Sequence, residues 1–149
     1  MTDDRAVSPV FGYVLTLGIT AILIVGLLTA TTGYVEEERE QVAESELQVL
    51  GQQLSQDIAA ADRISRTEGA VSASVKRDMQ PRVVGSTYRI SVHNGTGGPT
   101  DPYLELTATE LDITVLVGLT TKTAVEETTV DGGTVVVEYD SGKLEVQNA

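Results

Sequence analysis

Residues 6–35 read AVSPVFGYVLTLGITAILIVGLLTATTGYV and contain no charged side chain. A helix needs roughly 20 apolar residues to cross a hydrocarbon core. This run of roughly 30 makes a helix about 45 Å long at about 1.5 Å per residue. Lipid offers the backbone no water to bond, so a single segment can cross it only as a helix. The remainder of the sequence is therefore read as cargo attached to this helix.

Upstream lies Met1-Thr2-Asp3-Asp4-Arg5-Ala6, a leader whose charges nearly cancel. An ordinary secretory signal has a clearly basic start and a shorter apolar stretch, so the segment fits that class poorly. The small residues Thr29-Ala30-Thr31-Thr32 make signal peptidase cleavage a second choice. Ser8-Pro9 reads as a helix start: Ser caps free amides, and Pro at the first helical position lacks only an N–H that would be unbonded anyway. Within the run, Ser8, Gly12, Thr16 and Thr20 recur every four residues, and Gly26, Ala30 and Gly33 follow at spacings of four and three. Small faces let helix backbones approach closely, although Gly and Thr are also common in membrane helices generally. Tyr34 stands where an interfacial aromatic is expected.

Downstream, Glu36-Glu37-Glu38-Arg39-Glu40 ends the apolar run. Arg5 and the terminal amine place the few positive charges on the N-terminal side, which favours that end inside and the acidic bulk outside. Ala43, Leu47, Leu50, Leu54, Ile58 and Ala61 then keep the spacing of an amphipathic helix, so the helix is expected to continue to about Thr67, with Gly51 as its one weak point. Arg63 and Arg66 suit the negative end of the helix dipole. Leu47, Leu50, Leu54 and Ile58 are expected to pack on whatever follows. Glu68-Gly69 ends the helix, and short β-branched runs are expected as strands over 70–76, 82–92, 103–109, 111–119, 123–130, 134–139 and 143–146. The turn signals between them are Asn94-Gly95, Gly97-Gly98-Pro99, Asp131-Gly132-Gly133 and Asp140-Ser141-Gly142. The organisation is thus a leader (1–6), an apolar transmembrane or assembly helix (7–35), an amphipathic extension (36–68) and a small antiparallel β domain (70–149). The fold class is α+β with a sandwich-like sheet, whose core contains Tyr88, Tyr103 and Tyr139.

The 22 acidic and 10 basic residues among 149 give a net charge of −12, which repels phosphate backbones and argues against nucleic acid as a partner. Only Lys76, Lys122 and Lys143 are lysines. An acidic, lysine-poor, threonine-rich surface suits a salt-rich medium, where self-repulsion is screened. With no cysteine and one histidine, disulfides, thiolate chemistry and a zinc site are not expected. His93 has no Ser or Cys nucleophile beside it and reads as a surface or structural residue. The acidic pairs 36–38 and Glu126-Glu127 lack the spacing of a calcium loop, and the glycines at 95, 97 and 98 lie between strands rather than before a helix. No catalytic, cofactor-binding or metal-ligating set is expected. Asn94-Gly95-Thr96 fits the N-glycosylation pattern in a turn, with a plain hairpin turn as the competing reading.

The stretch Asp4-Arg5-Ala6-Val7-Ser8-Pro9-Val10, followed at once by the apolar run, resembles the start of archaeal type IV prepilins, haloarchaeal ones in particular. The resemblance implies cleavage by a prepilin peptidase between Ala6 and Val7. The mature chain would begin Val7-Ser8-Pro9-Val10-Phe11-Gly12 and assemble through its N-terminal helix with other pilin subunits. The chain is also similar to a haloarchaeal pilin-like family of unassigned function. It shares the Ser-Pro start, the Leu47-Gln48-Val49-Leu50-Gly51-Gln52-Gln53 segment and the threonine-rich β tail. It departs from major archaeal pilins at Phe11-Gly12-Tyr13 and in its more acidic helix extension, which leaves open whether it builds a filament or is a minor component. The fifth mature position is Phe11, not Glu as in bacterial pilins, so docking through a charge there is not available. Two other classes stay in view: a single-pass, membrane-anchored binding or sensor domain that keeps its leader, and a tethered enzyme, for which no residue set speaks.

Overall fold

The computed structural model describes residues 4–67 and 72–149; for 4–9, 31 and 32 only the backbone is described. One helix, α1 (Asp4–Ser65), precedes nine strands. These are β1 (Ala73–Asp78), β2 (Arg82–Val83), β3 (Ser86–His93), β4 (Tyr103–Ala108), β5 (Ile113–Gly118), β6 (Ala124–Val125), β7 (Thr129–Asp131), β8 (Thr134–Asp140) and β9 (Lys143–Asn148). The chain divides into two compact units, Met1–Arg39 and Glu40–Ala149, and α1 runs through the division.

The described residues of the first unit are helix. The second holds the rest of α1 and all the strands, so the arrangement is α+β. Its strands form two sheets, one ordered β1-β8-β9-β6 and the other β2-β3-β4-β5, with β7 also pairing β3. Every pairing is antiparallel except the short parallel contact of β6 with β9. This is the α+β class that the sequence suggests, a long helix followed by a small, mainly antiparallel β domain. The sheets form a half-barrel closed on the helical stripe. Ala43, Leu47, Leu54, Ile58 and Ala61 are fully buried and Leu50 nearly so, in one core with Ile90, Leu104, Leu106, Val135, Val137 and Leu144. The expected packing role of Leu47, Leu50, Leu54 and Ile58 is what this unit shows. A domain of about 110 residues buries a limited share of its surface, and the helix supplies apolar area that the sheets alone lack.

Gly51 is a packing position rather than a weak point. A Cβ there would lie 2.7 Å from Val117 Cγ2 and 2.9 Å from Leu106 Cδ1, so only glycine lets α1 approach β4 and β5 this closely. Of the three tyrosines expected in the core, Tyr88 is buried, with its hydroxyl donating to the Gln80 carbonyl at 2.8 Å, while Tyr103 and Tyr139 are half-buried.

Strand boundaries differ from the sequence expectation where turns interrupt β-branched runs. The expected strand 82–92 breaks at Val84-Gly85, both left-handed (φ 49° and 83°), giving a two-residue hairpin turn between β2 and β3. Val84 is β-branched and carries no turn signal, so propensity reads through it. Asp112 (φ 52°) likewise delays β5 to Ile113, and the expected strand 123–130 separates into β6 and β7. The β8–β9 hairpin turns at Ser141-Gly142 as expected. The expected helix end at Glu68-Gly69 and the expected strand start at Ala70 lie outside the described residues; α1 ends at Ser65.

Candidate functional site

The surface that sets this chain apart is the first half of α1. Every described side chain over 10–30 and 33–35 is exposed, including Phe11 (71%), Tyr13 (70%) and Ile22 (72%). A helix apolar on all sides is stable only in apolar surroundings. The chain thus carries one helix long and apolar enough to cross a membrane. Three of its hydroxyls are already served from within: Thr16 Oγ1 donates to Gly12 O, Thr20 Oγ1 to Thr16 O and Thr29 Oγ1 to Val25 O, each at 2.8 Å. Those bonds remove the cost of burying a hydroxyl without a partner. Spacing alone shows the Gly12, Thr16, Thr20 stripe but not this internal bonding.

The stripe borders a shallow groove of about 290 Å3 lined by Tyr13, Thr16, Leu17, Thr20, Ala21 and Ile24. No atom lies within 4 Å of a Cβ built at Gly12, Gly18, Gly26 or Gly33. These glycines are unfilled in the single chain, unlike Gly51.

Ala6, Val7, Ser8 and Pro9 lie within α1, and only their backbone is described. Ser8 and Pro9 therefore do not open the helix, which already includes Asp4, the first described residue. An acidic residue in the first turn suits the positive end of the helix dipole, and Arg5 and Ala6 are good helix formers. Pro9 then falls in the second turn, where its missing N–H leaves the Arg5 carbonyl without its usual partner.

The second unit holds polar stitches that sequence reading did not single out. Asp57, 7% exposed, accepts both Arg77 Nε at 2.6 Å and Arg77 Nη2 at 2.5 Å, joining α1 to β1. Donating to the Asp57 carboxylate, and the attraction of its charge, raise the Arg77 pKa above its ordinary value. Ser55 Oγ donates to the Gly118 carbonyl at the end of β5. Asp62, 3% exposed, accepts the backbone amides of Lys122 and Thr123 at 3.2 and 2.9 Å and Arg66 Nη2 at 3.0 Å. Burial alone would raise the Asp62 pKa; the Thr123 side chain, the two amides and Arg66 outweigh it and hold the carboxyl below its usual range.

Asn94 is exposed in the loop after β3, but its Nδ2 donates to the Val125 carbonyl at 2.7 Å and its amide to Glu127 Oε1 at 3.0 Å. The nitrogen that would carry a glycan is thus engaged. His93 stacks on Tyr103 with ring centroids 5.1 Å apart and sits 3.4 Å from Glu105 Oε2. The acidic pair 126–127 is divided between Lys143 and Asn94. Among the described residues no group of three or more His, Asp or Glu is placed to hold a metal ion.

The chain belongs to DUF7266, a family of unknown function, whose profile matches residues 2–148. No curated protein and no solved structure matches it.

Proposed function

We propose that this chain is a structural, pilin-like subunit of an archaeal type IV pilus-like surface filament, processed by a prepilin peptidase between Ala6 and Val7. Before processing it is a single-pass membrane protein with its N-terminus inside and its β domain outside. Afterwards the apolar half of α1 leaves the bilayer and is buried by the same helix in other copies. The observation that carries this reading is a helix exposed on every face, with unfilled glycines and internally bonded threonines. The threonines on such a surface can move from lipid to protein with their hydroxyls still bonded.

Pro9 supports the same reading. In a chain beginning at Val7, Pro9 is the third residue, in the first turn, where amides have no partner within the helix and its missing N–H costs nothing. The cut also removes Asp3, Asp4 and Arg5, the charges that hold the N-terminus at the membrane surface.

Mass spectrometry of the mature surface protein tests the proposal. The expected N-terminus is Val7, and substitution of Arg5 or Ala6 should leave the precursor uncut. Retention of Met1 through Ala6 on the surface protein contradicts the proposal and leaves a membrane-anchored binding or sensor domain.

A further inference from the structure

Ten basic side chains serve the whole acidic chain, yet Arg63, Arg66 and Lys122 line one solvent-open cleft of about 440 Å3 beside Thr120 and Thr121. The acid in the cleft is Asp62, which is buried and already holds two amides and Arg66. Among the described residues Arg63 and Lys122 are exposed and have no ion-pair partner. The cleft is therefore a cationic recess in a chain whose net charge is −12, and it fits carboxylates.

The same unit carries suitable carboxylates in the wrong place to reach it. Glu40 and Glu44 are exposed, one turn apart on α1, and no ion pair involves either among the described residues. Between Glu40 and Arg63 the helix is unbroken, so the two lie about 35 Å apart along it and cannot meet within one chain.

We infer that the cleft of Arg63, Arg66 and Lys122 docks the acidic helix segment around Glu40 and Glu44 of a second copy, staggered along the helix by about 35 Å. The inference rests on the assembly proposed above and names a contact that fixes its register. In parallel copies the stagger follows from which residues pair, while the apolar half of α1 has no charge with which to choose a register.

The test is a charge swap in the full-length chain, reading protein recovered in sheared, lipid-free surface material. Arg63 and Lys122 are the positions to change, because neither holds another residue of its own chain. The double variant R63E/K122E should reduce recovered assembly about tenfold, and E40K/E44K should do the same, since each sets like charges against each other. Combining all four substitutions should restore recovery to within about twofold, because the pairs are opposite again. Normal assembly of R63E/K122E, or no restoration in the fourfold variant, overturns the inference while leaving the assembly proposal intact. So does binding of inorganic sulfate or phosphate to the wild-type cleft with assembly indifferent to all the substitutions. Absence of the wild-type chain from sheared material overturns the assembly proposal and this contact with it.

Discussion

Between residues 10 and 35 the apolar side chains of α1 face outward all round; between Ala43 and Ala61 they form one stripe beneath two sheets. Both stretches belong to the same helix, yet one is completed by its own chain and the other is not. The glycines mark the difference most clearly. Gly51 is pressed against Val117 and Leu106, whereas Gly12, Gly18, Gly26 and Gly33 have open space around them. A small residue in the second half is explained by the fold of a single chain. In the first half it is explained only by surroundings the single chain does not supply.

Substitutions in the two halves should separate stability from assembly. The largest effect is expected from Leu54→Ala, which empties a fully buried position and should destabilise the β domain by about 2–5 kcal/mol in denaturant unfolding. The matching change Leu23→Ala, at a side chain 67% exposed, should leave that unfolding curve within about 0.5 kcal/mol. An equal loss in both variants would break the comparison.

A somewhat smaller loss is expected from Arg77→Ala, which strands the Asp57 carboxylate against the core. Removing hydrogen bonds to a buried charged group should cost about 1.5–3 kcal/mol, and Arg77→Lys should recover only part of it because a single ammonium cannot reproduce the bidentate fork. Full stability of Arg77→Ala would remove the stitch from the account.

Asp62 supplies a pH dependence. Its folded-state pKa lies below the ordinary 3.8, so its stabilising contribution is present above that value and is lost as pH falls through the lowered one. Thermal unfolding from pH 6 down to pH 2 should show a steeper loss below about pH 4 in the wild type than in Asp62→Asn, which should already be less stable at pH 6. Parallel acid profiles in the two proteins would contradict this assignment.

The smallest expected effect sharpens the glycine contrast. Gly51→Ala gains about 1 kcal/mol of helix propensity but forces a methyl into Val117, for a net loss of about 1 kcal/mol. Gly26→Ala gains the propensity with no clash inside the chain. It should leave the β domain's stability unchanged while reducing recovery of assembled protein. Stabilisation by Gly51→Ala would show that β5 yields easily.

Much of this division was legible in the sequence, because hydrophobic period reports which sides of a helix are covered. The uninterrupted apolar run gave one answer and the stripe from Ala43 to Ala61 another, and both match the burial seen. What period cannot report is what covers a face. The stripe did not reveal the strand order of the two sheets, since many orders present the same alternating strands. The turn at Val84-Gly85 was hidden because a β-branched residue occupies a left-handed position. Asp57 and Asp62 have their partners 20 and 60 or more positions away, where no local pattern points. The same limit holds for the cationic cleft, which joins the end of α1 to the loop before β6. At the N-terminus, Ser8-Pro9 reads as a helix start, yet the helix of the uncut chain already includes Asp4.

The most direct test places a single cysteine at Ala21, in the groove of the apolar half, in a chain that otherwise has none. Surface material is sheared from cells and freed of lipid, then treated with a thiol-reactive bifunctional cross-linker and, separately, with a bulky water-soluble maleimide. The account predicts covalent dimers linked through residue 21 and protection from the maleimide without lipid. Recovery of the chain only in the detergent-soluble membrane fraction, uncross-linked, with the cysteine reactive once lipid is stripped, would contradict it.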